Sequence, residues 1–167
     1  EVETLANSVK DADGVYFVPS FAGLGAPYWN QKAQGTIFGI TRGSTDAHIA
    51  RATLDAIAYQ SMDILKAMEA DSEISIKELR VDGGATVNNT LMQFQSDILG
   101  VSVERLAFVE STAAGVAYMA ALTIGELTLN EISKLPELER SFDPEKSLEW
   151  REAKKAVWSE AIDRIVL

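Results

Sequence analysis

The feature that most constrains the fold of this chain is a central run in which a strand pattern turns through two glycines into a helix pattern. Leu79 to Asp82 has the character of a strand, Gly83 and Gly84 follow, and a helix pattern starts at Asn88. This order places backbone without Cβ atoms next to a helix N-terminus, where unpaired N–H groups can receive an anionic ligand. The glycine pair also suits an ordinary turn with a positive φ. The run by itself leaves both interpretations open.

Size and composition predict one globular domain with a sizeable core. The chain has 167 residues, of which 47% are hydrophobic and 24% are charged. Its net charge of −10 should repel a phosphate backbone, so no nucleic-acid partner is expected. A mononucleotide remains possible, because a glycine turn and a divalent ion act locally. Since there is no cysteine and only one histidine, His48, neither a thiolate site nor a multi-histidine metal site can form.

The sequence contains no pattern typical of a membrane span. Its longest uncharged run, Ser111 to Gly125, is shorter than the roughly 20 apolar residues that cross a bilayer, and it predicts a buried core helix. No signal peptide is recognisable at Glu1. We expect a cytoplasmic protein without membrane contact, and we expect this chain to be a piece of a longer one.

Hydrophobic periodicity predicts an α/β order of elements. Strands are expected over 14–19, 36–41, 77–82 and 101–105, and helices over 1–10, 46–70, 88–99, 111–125, 129–135 and 144–166, with a loop before Pro144. Ser44 or Thr45 should cap the second helix, and Ser111 or Thr112 the fourth. Gly100 should end the third helix, and Pro136 the fifth. The second helix should bury a stripe that includes Ile49, Ile57, Ala58, Leu65 and Met68. The last helix should bury a stripe of Trp150, Ala153, Val157, Ala161 and Ile165, and Trp150 and Trp158 should dock into the core.

The alternation of helices and strands from residue 46 to 125 predicts parallel strands joined by helical crossovers. In such sheets ligands bind beyond the carboxyl ends of the strands. Gly83 and Gly84 lie at one of these ends, where a ligand site is expected.

Five segments carry a family resemblance: Val18 to Asn30, Gly35 to Gly43, Ile49 to Leu54, Arg80 to Asn89, and Met92 to Gly100. Together they are similar to glycerol kinases, and the resemblance spans nearly the whole chain. Its most specific part is the Gly-Leu-Gly-Ala-Pro-Tyr-Trp run from Gly23 to Trp29, which separates glycerol kinases from kinases of larger sugars.

This resemblance implies a fold, a reaction and a set of site residues. The fold is a partial ribonuclease H-like or actin-like ATPase domain, and residues 1–167 form the carboxyl-terminal portion of a two-domain kinase that lacks its amino-terminal domain and the first strands of this one. The reaction transfers the γ-phosphoryl group of Mg-ATP to glycerol, giving sn-glycerol 3-phosphate. Gly84 and Asn88 are implied to bind ATP or ADP, with Gly83 shaping the turn. A homo-oligomer is expected, because relatives form dimers and tetramers.

No catalytic residue is expected in this chain. The family's catalytic aspartate lies in a Gly-Asp-Gln segment, which this sequence lacks, so the isolated chain should be inactive. Asp82 is expected to support the adenosine turn, and His48 to be solvated or capping. Arg42 and Arg51 have the chemistry of phosphate clamps, but surface ion pairs explain them more simply. Ala114 departs from the leucine that relatives often carry there.

Three other functions remain open. The chain could belong to a kinase of a pentulose or another polyol, although the Gly23 to Trp29 run speaks against it. It could be a non-catalytic interaction module with a vestigial nucleotide site, which would self-associate through an exposed sheet edge. A dinucleotide-binding oxidoreductase domain is disfavoured, because no Gly-x-Gly-x-x-Gly follows the strand.

Overall fold

The computed structural model describes residues 1–108, 110–135 and 137–166. Its helices are α1 (Val2–Ala6), α2 (Asp46–Ser72), α3 (Asn89–Leu99), α4 (Ser111–Ile124), α5 (Leu129–Ile132) and α6 (Leu148–Val166). Its strands are β1 (Tyr16–Val18), β2 (Thr36–Phe38), β3 (Glu78–Val81), β4 (Ser102–Leu106) and β5 (Leu138–Phe142). The predicted α/β order is confirmed, while the expectation that Pro136 ends α5 falls outside the described residues.

The strands form two sheets. Strands β1 and β2 pair antiparallel, with Tyr16 opposite Phe38. Strands β3 and β4 are parallel and joined through α3, as predicted, with Glu78 opposite Ser102. The prediction of a loop before Pro144 is wrong, because β5 lies there and pairs antiparallel with β4. Of the five residues of β5 only Phe142 is buried, so this strand has no apolar alternation by which its sequence could be recognised.

Aromatic side chains hold the core together where α2, α3 and α6 meet. The Tyr59 ring stacks on Trp158, with centroids 4.8 Å apart, and meets the Phe94 ring edge-on at 5.4 Å. Trp158 is buried and Trp150 packs against the core, which confirms the expected docking of both. The stripe predicted for α6 is partly wrong: Trp158, Ala161 and Ile162 are buried, whereas Val157 is exposed.

The predicted buried face of α2 is mostly wrong: Ala58 is buried and Leu65 only half-buried. Ile49, Ile57 and Met68 are exposed. The helix instead packs on α1, α3 and β1, and its buried residues are mainly small alanines with Tyr59 and Met62 and two carboxylates, Asp55 and Asp63. Alanine was a weak signal in the sequence, yet its small side chain allows neighbouring elements to approach closely.

The expectation that α4 is a buried core helix is also wrong. None of its residues is buried within the described part of the chain, and Val116, Met119 and Ile124 are each at least two-thirds exposed. Glu110, rather than Ser111 or Thr112, occupies its N-cap position. Among the described residues no helix is both long enough and apolar enough to cross a membrane.

Two predicted helix ends are confirmed. Thr45 occupies the N-cap position of α2, and its backbone N–H donates to Nδ1 of His48 at 3.1 Å, so His48 is a capping residue. Gly100 ends α3 in the left-handed region, at φ 77°.

Candidate functional site

The turn between β3 and α3 has the geometry that its sequence predicts. Gly83 has a φ of 89°, a conformation that side chains disfavour. A 3-10 helix, Gly84–Val87, follows. Thr86 closes the turn, because its backbone N–H and its hydroxyl donate to the Gly83 carbonyl at 3.0 and 2.7 Å. Asn88 then precedes α3 as its N-cap residue, so the three predicted site residues, Gly83, Gly84 and Asn88, lie in one turn.

Asn88 has a structural role as the N-cap residue of α3. Its Oδ1 accepts a hydrogen bond from the Leu91 backbone N–H at 2.9 Å. The side-chain NH₂ group of Asn88 has no partner among the described residues and is half-buried. The capping bond therefore leaves a donor for a ligand, and the predicted nucleotide contact of Asn88 stays a prediction.

The N-terminus of α3 is less open than the sequence indicated. The Glu3 carboxylate of α1 accepts from the Thr90 backbone N–H at 3.0 Å and from the Thr90 hydroxyl at 3.1 Å. The backbone hydrogen bonds of the described residues do not use the N–H groups of Gly84 or Ala85. The donors available to an anion therefore lie mainly in the glycine turn, together with the Asn89 N–H at the start of α3, which also has no partner among the described residues.

Neither backbone conformation nor packing within the described chain requires a glycine at position 84. A Cβ atom placed on Gly83 or Gly84 would meet no atom within 4 Å, and only Gly83 has a positive φ. Beside this turn lies an open groove of about 380 Å³ between α2, β3 and α3. The bare backbone at Gly84 therefore gives a ligand room for close approach.

Arg105 of β4 braces the turn, and sequence reasoning missed it. Its side chain is almost fully buried. The guanidinium donates to the Thr86 carbonyl at 2.7 Å and to Asn89 Oδ1 at 3.0 Å. It also donates twice to the Glu139 carboxylate of β5, at 2.9 and 3.0 Å. A single arginine therefore ties the turn to the neighbouring strands of the sheet.

Three other candidate residues, Arg42, Arg51 and Asp82, make no side-chain hydrogen bond to the turn within the described chain. Arg51 forms the expected ion pair, with Asp55 at 2.8 Å, but the pair is largely buried rather than on the surface. Burial raises the pKa of Asp55 to about 6, although the Arg51 guanidinium opposes the shift. Arg42 is exposed and forms no ion pair within the described residues. Asp82 is exposed, and no hydrogen bond of its carboxylate is found in the described part of the chain.

The described residues do not supply a metal site of their own. Nowhere among them do three or more histidine or carboxylate side chains converge so that they could hold a metal ion.

Comparison with known proteins places this geometry in context. Residues 1–124 match the FGGY family of carbohydrate kinases, C-terminal domain. The chain is 57% identical to a glycerol kinase of Burkholderia ambifaria over 163 residues, which are 97% of this chain and 33% of that protein. The chain thus spans about a third of the length of the curated relatives it matches.

Solved structures show the same relationship. A glycerol kinase of Plasmodium falciparum, in a crystal structure with ADP, superimposes with a TM-score of 0.89 and 32% identity over 99% of this chain and 33% of its own. A gluconate kinase of Lactobacillus acidophilus, 19% identical, shares the fold with a TM-score of 0.80, covering 99% of this chain and 34% of its own. The predicted α/β, actin-like ATPase fold is confirmed.

Proposed function

This chain belongs to the FGGY family of carbohydrate kinases, and we propose that it is the nucleotide-binding portion of an ATP-dependent kinase that phosphorylates glycerol. Its similarity to glycerol kinases over nearly its whole length is the observation that carries this proposal. The product would be sn-glycerol 3-phosphate. These substrates and this activity belong to a complete enzyme. The matching relatives are about three times as long as this chain.

The turn supplies the nucleotide contacts in this proposal. The adenosine and α-phosphate approach the bare backbone of Gly84, Gly83 sets the conformation of the turn, and the Asn88 NH₂ group donates to the nucleotide. The free N–H groups of Gly84 and Ala85 support this arrangement, because unpaired backbone donors favour anionic groups. Mg²⁺ is bound mainly by the nucleotide phosphates and by carboxylates outside this chain.

The catalytic carboxylate comes from outside the chain. Residues 1–167 act as one carboxyl-terminal domain portion that positions the nucleotide, while the rest of the kinase binds glycerol and activates its hydroxyl. General-base catalysis typically increases the reaction rate by about 10²–10⁴-fold. Because this chain lacks both that carboxylate and the rest of the kinase, it is inactive alone. We further infer a cytoplasmic, homo-oligomeric enzyme that binds neither nucleic acid nor membrane.

A chimeric enzyme tests the proposed substrate. This chain replaces the matching third of a characterised glycerol kinase, and phosphorylation is measured with glycerol, a pentulose and gluconate as acceptors. We expect the chimera to phosphorylate glycerol preferentially and a Gly84→Val chimera to have a raised KM for ATP. A folded chimera that prefers the pentulose would overturn the proposal in favour of the polyol or pentulose alternative.

The ATP affinity of the chimeras distinguishes a kinase portion from a non-catalytic interaction module. If the site is vestigial, the Gly84→Val chimera should retain the ATP affinity of the unmodified chimera. Light scattering on the isolated chain provides a second readout, because the module hypothesis predicts self-association and a clean monomer would weaken it.

A further inference from the structure

Glu139 of β5 reaches Arg105 where the pairing of β4 with β5 is irregular. Arg105 lies opposite Arg140, but the next residue of β4, Leu106, lies opposite Leu138, so Glu139 has no opposite residue. In a regular antiparallel pair, opposite residues share a face and successive residues alternate, so Glu139 would point away from the face that carries Arg105. A β-bulge re-aims a side chain, and this irregularity accompanies a carboxylate that meets a buried guanidinium.

The Arg105 guanidinium divides its donors between two parts of the molecule. Its Nε and Nη2 donate to the two carboxylate oxygens of Glu139 at 2.9 and 3.0 Å. Its Nη1 donates to the Thr86 carbonyl at 2.7 Å and to Asn89 Oδ1 at 3.0 Å. Because the group is planar and rigid, a carboxylate that fixes one edge also fixes the direction of the remaining N–H groups. Glu139 therefore determines how Arg105 meets the turn.

The groups that this guanidinium holds lie next to the donors proposed to bind the nucleotide. Thr86 follows Gly84 and Ala85, whose backbone N–H groups have no partner among the described residues. Asn89 follows Asn88, and its own backbone N–H is likewise without a partner in the described chain. A shift of the backbone at Thr86 or Asn89 would therefore re-aim these donors.

We propose that Glu139 is a positioning residue for the nucleotide, which it does not touch. It acts through Arg105, which holds the glycine turn in the shape that presents its free N–H groups to the phosphates. The inference rests on the proposed function, because it names a residue that sets the affinity of that same site.

The sign of the effect distinguishes positioning from simple electrostatics. A carboxylate near an anionic ligand repels it, so by charge alone the loss of Glu139 would tighten nucleotide binding. Positioning predicts the opposite result, because the loss of the carboxylate frees the guanidinium edge and loosens the turn.

Glu139→Gln and a charge-matched control test the proposal. The glutamine keeps the size of the side chain, but one of its two acceptors becomes a donor that faces the donors of Arg105. The Glu139 side chain is 48% exposed, so we expect this variant to fold. The control is Glu137→Gln, which removes the same charge two residues away, where the side chain forms no ion pair among the described residues.

The Kd of Mg-ADP for the chain is measured by calorimetry at constant ionic strength. Glu139→Gln should weaken binding by about fivefold or more, whereas Glu137→Gln should bind at least as tightly as the unmodified chain. In the chimeric kinase, Glu139→Gln should raise the KM for ATP and leave the KM for glycerol unchanged. An unchanged or lower Kd in Glu139→Gln, or a parallel rise of both KM values, would overturn the proposal.

Amide NMR of the chain without nucleotide gives a second readout. The signals of Gly84, Ala85 and Asn89 should shift in Glu139→Gln and stay in place in Glu137→Gln. Arg105→Lys keeps the charge but loses the planar fork, so it should shift the same signals. Turn signals that are unchanged in Glu139→Gln or in Arg105→Lys would overturn the positioning role, whereas a lack of Mg-ADP binding by the unmodified chain would count against the proposed function.

Discussion

Replacing Arg105 with methionine tests whether this arginine organises the glycine turn. The substitution keeps an unbranched, apolar side chain that can cover the Phe142 ring, over which the guanidinium lies 5.4 Å from the centroid. It removes every hydrogen bond to Thr86, Asn89 and Glu139. We expect a large loss of stability together with a loosened turn.

The contacts of Arg105 set the magnitude of that loss. The Thr86 residue is 4% exposed, so its carbonyl would lose its charged donor with little access to water. An unsatisfied buried acceptor costs about 1–3 kcal/mol. The Glu139 side chain is 48% exposed, so water can solvate it and the cost there is smaller than for a fully buried pair. Together these terms give a decrease in the free energy of unfolding of about 2–4 kcal/mol.

Urea unfolding of Arg105→Met and of a matched control measures this loss. The control is Arg80→Met on the neighbouring strand β3, where the arginine side chain is 62% exposed and pairs with Glu78 and Glu104. Exposed pairs contribute little, so the control should lose less than about 1 kcal/mol. Equal losses for the two variants would refute the reasoning, because burial of the Arg105 contacts would then carry no weight.

Two further predictions concern Asn88 and Asp55. Asn88→Ala should lower the free energy of unfolding by about 1 kcal/mol, whereas Asn88→Ser should keep the cap; equal destabilisation in urea would contradict the capping role. Because the folded-state pKa of Asp55 lies near 6, above its usual value of 3.8, the folded chain holds this proton more tightly than the unfolded chain. Stability should therefore fall by about 3 kcal/mol as pH rises from about 4 through about 6, and Asp55→Asn should flatten this dependence. An unchanged slope in urea midpoints across this pH range would count against it.

Local sequence signals predicted the part of the fold that forms the turn. Gly83, Gly84 and Asn88 each carry a conformational preference that acts over a few residues, so strand, turn and helix follow in order. The helical period of α2 and the glycine at position 100 likewise act within one element. These are the places where the predicted elements agree with the structure.

Features that depend on distant partners could not be predicted in this way. Arg105 meets Thr86, Asn89 and Glu139, which lie 16 to 34 residues away, and no local pattern distinguishes it from a surface arginine. Strand β5 owes its existence to pairing with β4 rather than to its own pattern. Which face of α2 is buried depends on the elements that pack against it. The sequence pattern predicted burial of the larger apolar side chains, whereas the structure buries mainly the small ones.

The most direct test of the account is a backbone amide NMR titration of the chain with Mg-ADP. We expect saturable shifts centred on Gly83, Gly84 and Asn88 that are lost in Gly84→Val. Gly25→Val serves as the control, because an added Cβ there also meets no atom within 4 Å. It should bind Mg-ADP like the unmodified chain. An unchanged spectrum from the folded chain, or shifts that persist in Gly84→Val, would contradict the assignment of this turn to the nucleotide.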